Sequence, residues 1–315
     1  MTRVEEKGGV TERLWDELET ELAPQGQPAT LRVLFATDGS AEADKALRLL
    51  RKLSLATGSS IHVLTVTAGA EWTMPEWFLA GEHAWGNKVS TKVAGELQQP
   101  GVSVEATSRS GAAAYEIIEA AEEHQVDLVV VGSQGLSGLA GFFLGSVARN
   151  VAKHARRPVV VARDLRHDLQ RVILAVDGST HGVQAARFAA RLPLPEESVI
   201  QVVQVVFTHQ PYAVVAPEFL VEYSAAMTEA ERQEKVEAEA LTRSICDRLI
   251  SSGKQAEPHV LRGDPADEIL KLAQQNETDL IIAGARGVSL IEGLMVGSVA
   301  DRLLKRAPCS VLLVR

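Results

Sequence analysis

Short, largely apolar runs alternate with amphipathic stretches along most of this chain. The apolar run Leu31–Thr37 precedes Ala41–Thr57, which has helical spacing, and further apolar runs lie at Ile61–Thr67, Leu128–Val131 and Val159–Ala162. Nearly continuous apolar runs that are separated by helices are typical of a parallel sheet covered on both faces. Since crossovers in such sheets are right-handed, the pattern predicts a doubly wound α/β fold with strand order 2-1-3-4-5 or 3-2-1-4-5.

The pattern occurs twice, because the chain is an internal duplication. Residues 111–163 align without a gap with residues 263–315, and nineteen of these 53 positions are identical. Upstream, the segment Asp38-Gly39-Ser40 corresponds to Asp177-Gly178-Ser179. A repeat of this length is a whole domain and not a solenoid unit. We therefore predict two tandem doubly wound domains, each a five-stranded parallel sheet of order 3-2-1-4-5 with helices on both faces. The predicted segments are an extension (1–30), two domains (31–163 and 171–315) and a linker (164–170).

Each half carries one glycine spacing after its fourth apolar run. Nine residues separate Gly132-Ser133-Gln134-Gly135 from Gly145-Ser146, and nine separate Gly284-Ala285-Arg286-Gly287 from Gly297-Ser298. Such glycines let backbone amides approach an anion closely, and the amides at a helix start favour phosphate. Neither loop has the Gly-Lys-Ser/Thr of a Walker A loop. One Gly-x-x-Gly alone usually marks only a strand-to-helix turn, but this repeated spacing favours two phosphate-binding loops.

In the order 3-2-1-4-5, strands one and four lie side by side where the winding reverses. Ligands of such sheets bind in the crevice at the carboxyl ends of these strands. We therefore expect Asp38 to face the Gly132 loop, and Asp177 to face the Gly284 loop. The alternative is that both aspartates are only turn or helix N-cap residues.

Composition narrows the functional classes. The net charge of −9 argues against broad binding of nucleic acid or of an anionic membrane surface. Two cysteines, Cys246 and Cys309, are too few for a disulfide framework. No apolar stretch approaches the ~18 residues of a membrane span. These features predict a cytoplasmic protein with neither a nucleic-acid partner nor a membrane partner.

These motifs resemble those of the universal stress protein family in its tandem, two-domain form. The Gly-x-x-Gly, nine-residue, Gly-Ser spacing is similar to that of the family's ATP-binding branch, and Asp-Gly-Ser after the first strand agrees with it. The resemblance implies one ATP, with or without Mg²⁺, in each half. The residues that it implies beside the nucleotide in the first half are Ala36, Asp38, Val66, Gly111, Gly132, Ser133, Gln134, Gly135, Gly145, Ser146 and Val147. Those in the second half are Ala175, Asp177, Val205, Gly263, Gly284, Ala285, Arg286, Gly287, Gly297, Ser298 and Val299.

The resemblance also implies that the last strands, Pro158–Ala162 and Ser310–Val314, pair the two halves with each other, and it leaves a further homodimer open. The two loops differ: Arg286 stands where the first loop has Gln134, and Ala285 replaces Ser133. We therefore expect two ATP sites of unequal affinity, the second depending more on charge.

Two functional classes follow. The favoured one is a stress-response regulatory protein that changes conformation or partner with nucleotide. The alternative is a slow ATPase or autophosphorylating enzyme, but neither loop contains a lysine or an obvious general base, so no catalytic residue is assigned. A third reading is another adenylate ligand such as cyclic AMP.

Two segments stay open at this stage. Trp72, Trp77, Phe78 and Trp85 cluster after the second strand, where core filling is the default and a lid or partner surface the alternative. Residues 1–30 contain an amphipathic pattern, Thr11–Leu22, whose contacts the sequence does not specify.

Overall fold

A computed structural model of the chain describes residues 30–68, 76–135, 144–207, 220–287 and 296–315. The first half contains β1 (Arg32–Ala36), α1 (Ala41–Lys52), β2 (Ser60–Ala68), α2 (Glu76–Glu96), β3 (Ser103–Gly111), α3 (Ala113–Glu123), β4 (Leu128–Gly132), α4 (Ser146–His154) and β5 (Val159–Ala162). The second half contains β6 (Arg171–Val176), α5 (Thr180–Arg191), β7 (Val199–Val206), α6 (Leu220–Ser251), β8 (Gln255–Arg262), α7 (Pro265–Gln275), β9 (Leu280–Gly284), α8 (Ser298–Arg306) and β10 (Ser310–Val314).

The ten strands form one sheet in the order β3-β2-β1-β4-β5-β10-β9-β6-β7-β8. The predicted order 3-2-1-4-5 is confirmed in the first half, and the second half repeats it. Every strand pair within a half is parallel. The halves meet where β5 and β10 run antiparallel, with Val160 opposite Leu312.

Two apolar cores cover the two faces of this sheet. Alternate residues of β1 show the division, because Val33 and Phe35 belong to one core and Leu34 and Ala36 to the other. One core contains buried residues of α1, α2, α5 and α6, and the other contains residues of α3, α4, α7 and α8. Each core includes residues of both halves. The central strands are therefore apolar on both faces because helices cover both, as the sequence pattern indicates. The edge strands β3 and β8 are more polar and only partly buried.

A buried carboxylate holds the segment between the halves. Asp279 is fully buried, and its Oδ1 accepts hydrogen bonds from the main-chain N–H groups of Arg166 (2.9 Å) and His167 (2.8 Å). Its Oδ2 accepts from the N–H of Arg171 at 3.2 Å. The sheet therefore fixes the path of the linker through charge-assisted bonds to its backbone.

The aromatic segment does not fill the core as the default interpretation expects. Trp77 is 75% exposed and Trp85 is 42% exposed, both on α2, so core filling is wrong for these two side chains. Trp72, the side chain of Phe78 and the N-terminal extension lie outside the described residues. Within the described part of the chain, no helix is both long and apolar enough to cross a bilayer.

We predict that Asp279→Ala lowers the free energy of unfolding by about 3 kcal/mol, because three main-chain N–H groups lose their acceptor. Urea denaturation measures this loss. The control is Asp164→Ala, which removes an exposed ion pair with Arg48 and should change stability by less than about 1 kcal/mol. Equal losses in the two variants would contradict the role assigned to Asp279.

Candidate functional site

The carboxyl ends of β1 and β4 open into a cavity of about 580 Å³. Ala36 lies opposite Val131 in the parallel pairing of these strands, which brings the residues that follow each strand together. The sequence-predicted residues that line this cavity are Ala36, Asp38, Val66, Gly132, Gln134, Gly135, Gly145, Ser146 and Val147. A volume of this size is typical of a small-molecule site.

Two predicted residues of the first half, Ser133 and Gly111, are not among the described residues that line the cavity. The Ser133 side chain is buried, and its Oγ donates to Oε2 of Glu42 at 3.3 Å. Gly111 lies against Glu116, since a Cβ added to it would come within 2.6 Å of Oε1 of Glu116. The Ser133 hydroxyl is thus bound to Glu42, and Gly111 has a positive φ of 154°, which residues with a side chain rarely adopt.

The last residue of β4 is a glycine because the backbone there runs close to the start of α1. A Cβ on Gly132 would lie 3.0 Å from the main-chain oxygen of Glu42. In the second half a Cβ on Gly284 would lie 2.8 Å from main-chain atoms of His181. Real Cβ atoms essentially never approach as closely as at Gly284, and the contact at Gly132 is tighter than nine in ten real ones, so both positions favour a residue without a Cβ.

The second glycine of each loop faces the aspartate that follows the first strand. A Cβ on Gly135 would lie 2.6 Å from Oδ2 of Asp38, and one on Gly287 would lie 2.6 Å from Oδ2 of Asp177. The other carboxylate oxygen accepts from a main-chain N–H two residues later, that of Ser40 or Ser179, at 3.0 Å in each half. Each carboxylate therefore orders a turn and also borders the loop.

The helix N-caps differ from one of the expectations. Ser40 and Ser179 cap α1 and α5, with Oγ accepting from Ala43 N at 3.2 Å and from Gly182 N at 3.1 Å. This shows that neither aspartate is an N-cap.

The helices that follow the loops have glycine at their N-caps. Gly145 and Gly297 precede α4 and α8, and neither makes a side-chain cap hydrogen bond. Ser146 and Ser298 are the first helical residues, so neither serine is an N-cap. The first helix turn of α4, Ser146 to Ala148, lines the cavity, so N–H groups without a side-chain cap lie at its wall.

Each loop is closed by the same main-chain hydrogen bond. The N–H of Gly145 donates to the oxygen of Ser133 at 2.8 Å, as the N–H of Gly297 does to the oxygen of Ala285. The predicted residues of the second half thus reproduce the backbone contacts of the first. The residues between Gly135 and Leu144, and between Gly287 and Val296, lie outside the described ranges.

Two features of the site escaped the sequence reasoning. One is the apolar part of the cavity wall, to which Leu64, Ala113 and Ile117 contribute in the first half. The other is the pair Glu42 and His181, which occupy equivalent positions at the start of α1 and α5. The duplication offset that relates Asp38 to Asp177 also relates these two residues, so an alignment of the halves was the available signal.

The halves differ in charge around this common backbone. Glu42 pairs with Lys45 at 2.7 Å beside the first loop, whose variable residue is the neutral Gln134. In the second half His181 and Arg286 take these positions. Burial, followed by the positive charge of Arg286, lowers the pKa of His181, with Arg315 acting in the same direction and Asp177 opposing it.

The described residues include no group of three or more His, Cys, Asp or Glu side chains arranged to hold a metal ion. The site in the first half instead combines apolar walls with main-chain N–H groups and one carboxylate. Such a set of groups fits a ligand with an apolar, ring-like part and an anionic part.

Comparisons with known proteins agree with this architecture. The model of the universal stress protein family matches residues 30–163 and 169–315, so the chain belongs to the universal stress protein family. A universal stress protein of Thermus aquaticus is 33% identical over 147 residues, which are 46% of this chain and 97% of that protein. Universal stress protein YxiE of Bacillus subtilis is 28% identical over 151 residues, covering 46% and 98% of the two chains. Each relative therefore corresponds to a segment the size of one half.

A solved structure extends the likeness to both halves. The universal stress protein of Archaeoglobus fulgidus covers 90% of this chain and 98% of its own length, with a TM-score of 0.63 and 20% sequence identity. At that identity the likeness establishes the tandem fold over the part of the chain that it covers, and nothing beyond the fold. The domain boundaries at residues 31–163 and 171–315 stay predictions, close to the ranges that the family model matches.

We predict that alanine at two loop glycines changes stability by different amounts. Gly284→Ala should lower the free energy of unfolding by about 1–3 kcal/mol, because its Cβ meets the backbone of His181, which cannot turn aside. Gly135→Ala should change it by less than about 1 kcal/mol, because the Asp38 carboxylate can rotate away. Thermal unfolding of both variants checks the order, and a larger loss in Gly135→Ala would show that the contacts are wrongly assigned.

Proposed function

We propose that each half of the chain binds one ATP, and that the protein acts in the stress response as a nucleotide-dependent regulator. The observation that carries this proposal is the first cavity, where Asp38, the Gly132–Gly135 loop and the amides at the start of α4 meet an apolar wall. In this assignment Leu64, Val66 and Ile117 face the base. The loop and helix amides take the ribose and phosphates.

The second half supports an equivalent site through its backbone. The distances from Gly287 to Asp177 and from Gly297 to Ala285 repeat those of the first half. Mg²⁺, where it accompanies ATP, would be held mainly by phosphate oxygens, and Asp38 or Asp177 would supply a protein carboxylate. This fits the reluctance of Mg²⁺ to give up its water ligands.

A binding role fits the site better than rapid catalysis. Ser133 is buried and bonded to Glu42, so its hydroxyl is not presented to a phosphoryl group in the cavity. Efficient hydrolysis needs a positioned base and charge stabilisation at the transferred phosphate. Cytoplasmic location and a further homodimer stay predictions of the sequence.

The direct test is to denature the purified protein and identify any released nucleotide by mass spectrometry. We expect an adenine nucleotide, chiefly ATP, at up to two molecules per chain. Incubation with radiolabelled ATP should then give only slow phosphate release. Cyclic AMP in place of ATP, failure to bind added ATP, or rapid multiple turnover would each overturn the proposal.

We further predict that the two sites respond differently to salt and pH. In the variant Gly135→Val, which obstructs the first site, the remaining affinity should fall with salt more steeply than in Gly287→Val. It should also rise as the pH falls from about 8 to about 6. A bound phosphate favours protonated His181, whose pKa in the free protein lies below the usual ~6.5, so binding takes up a proton.

Titration calorimetry of the two variants measures both effects. Adding Arg286→Gln to Gly135→Val should weaken binding about tenfold and flatten the salt dependence. Adding His181→Gln to Gly135→Val should remove the pH dependence. The counterpart of Arg286→Gln is Gln134→Arg in the Gly287→Val background, which adds a positive charge to the first site and should make its affinity more dependent on salt. Identical salt and pH profiles in the two sites would refute the asymmetry while leaving nucleotide binding intact.

A further inference from the structure

Two arginines cross the boundary between the halves in a reciprocal way. Arg163 follows β5, and its Nη2 donates to the main-chain oxygen of Leu304 in α8 at 2.6 Å. Arg315 follows β10, and its Nη2 donates to the main-chain oxygen of Ala152 in α4 at 2.6 Å. The duplication relates both the two donors and the two acceptors to each other. The same contact is therefore made twice, once in each direction.

The acceptor in α8 needs a donor from outside its helix. A helical carbonyl normally accepts from the N–H four residues later, and for Leu304 that residue is Pro308, which has no N–H. Leu304 is fully buried, so water cannot take the place of that donor. The guanidinium of Arg163 fills this role, and its Nη1 also donates to the oxygen of Cys309 at 3.3 Å.

The helices that receive the arginines are the helices that begin at the two proposed phosphate sites. Each of α4 and α8 has nine residues and is therefore only about 13 Å long. A contact at the last turn of so short a helix constrains the position of its first turn. The positive guanidinium at the carboxyl end also complements the helix dipole, whose positive end borders the site.

Each arginine is also one residue away from the strand atom that holds the loop of its own half. The oxygen of Ala162 accepts from the N–H of Ser133 at 3.0 Å, and the oxygen of Val314 accepts from the N–H of Ala285 at 2.7 Å. A series of contacts thus connects each loop, through the last strand of its own half and the arginine that follows, to the helix at the site of the other half.

We propose that Arg163 and Arg315 are positioning residues for the opposite half, Arg163 holding α8 at the second site and Arg315 holding α4 at the first. The two sites are then coupled, because ordering the loop of one half steadies the arginine that holds the helix of the other. The coupling rests on the proposed nucleotide function for its ligand. The crossed hold, which is the contact of Arg163 with α8 and of Arg315 with α4, does not depend on that function.

The first test needs no nucleotide. Hydrogen exchange of the whole chain should show α8 exchanging about tenfold faster in Arg163→Met, with α4 little changed, and the reverse pattern in Arg315→Met. The controls are Arg157→Met and Arg306→Met, whose guanidinium groups pair within their own half with Glu122 and Asp267. Faster exchange in the helix of the same half, equal effects on both helices, or no effect would overturn the inference.

The second test concerns binding. In the Gly135→Val background, which leaves the second site open, Arg163→Met should weaken ATP binding several-fold, while Arg157→Met should not. In the Gly287→Val background, Arg315→Met should weaken the first site in the same way. If no variant binds ATP at all, the proposed function fails, and the exchange pattern still decides the crossed hold.

If a methionine variant does not fold, a milder substitution tests the same contacts. Arg163→Lys and Arg315→Lys keep a positive donor on a flexible stem. We expect each to show the same crossed pattern at a smaller size. Lysine variants with wild-type exchange in both helices, together with methionine variants that only unfold globally, would reduce the arginines to ordinary stabilising residues.

Discussion

The antiparallel pairing of β5 with β10 is the interaction on which the rest of the molecule depends. Both strands are short and wholly buried, and either one alone would present an apolar edge to water. Joined, they turn two five-stranded sheets into one, and each apolar core continues from one half into the other. The pairing also brings Arg163 and Arg315 within reach of the opposite helices.

The candidate sites depend on a second constraint, the close approach of backbone to backbone at the ends of β4 and β9. Gly132 and Gly284 allow the loop to lie against the start of the preceding helix. The described part of each loop also contacts the aspartate after the first strand, and a main-chain hydrogen bond joins it to the start of the next helix. The charged side chains can vary on this frame, as the replacement of Glu42 by His181 shows, without altering the backbone that would contact a ligand.

Much of this arrangement could be predicted from the sequence because it follows from backbone rules. Apolar runs and right-handed crossovers define the strand order, and the strand order places Asp38 beside Gly135. What could not be predicted depends on side-chain direction. Ser133 has the residue type of a phosphate ligand, yet its hydroxyl turns inward to Glu42, and no pattern within one half reveals that choice.

The crossed arginines illustrate a further limit. Both were visible as the residue that follows each last strand, but their acceptors are main-chain oxygens, which carry no sequence signal. Only the position of Pro308, four residues after Leu304, hints that a carbonyl there lacks its helical partner. The residues that make contacts between the halves are far apart in the sequence, so the hydrophobic periodicity of a single helix or strand does not predict these contacts.

The linker that Asp279 binds makes the pairing of the two halves independent of protein concentration. Two separate subunits joined by the same strand pair would come apart on dilution, and their pairing would vary with how much protein the cell makes. A seven-residue connection, 164–170, instead keeps the partner strands together at an effective concentration in the millimolar range. The two halves therefore stay paired at any expression level. A change in ligand concentration then alters the occupancy of the proposed sites without altering this pairing.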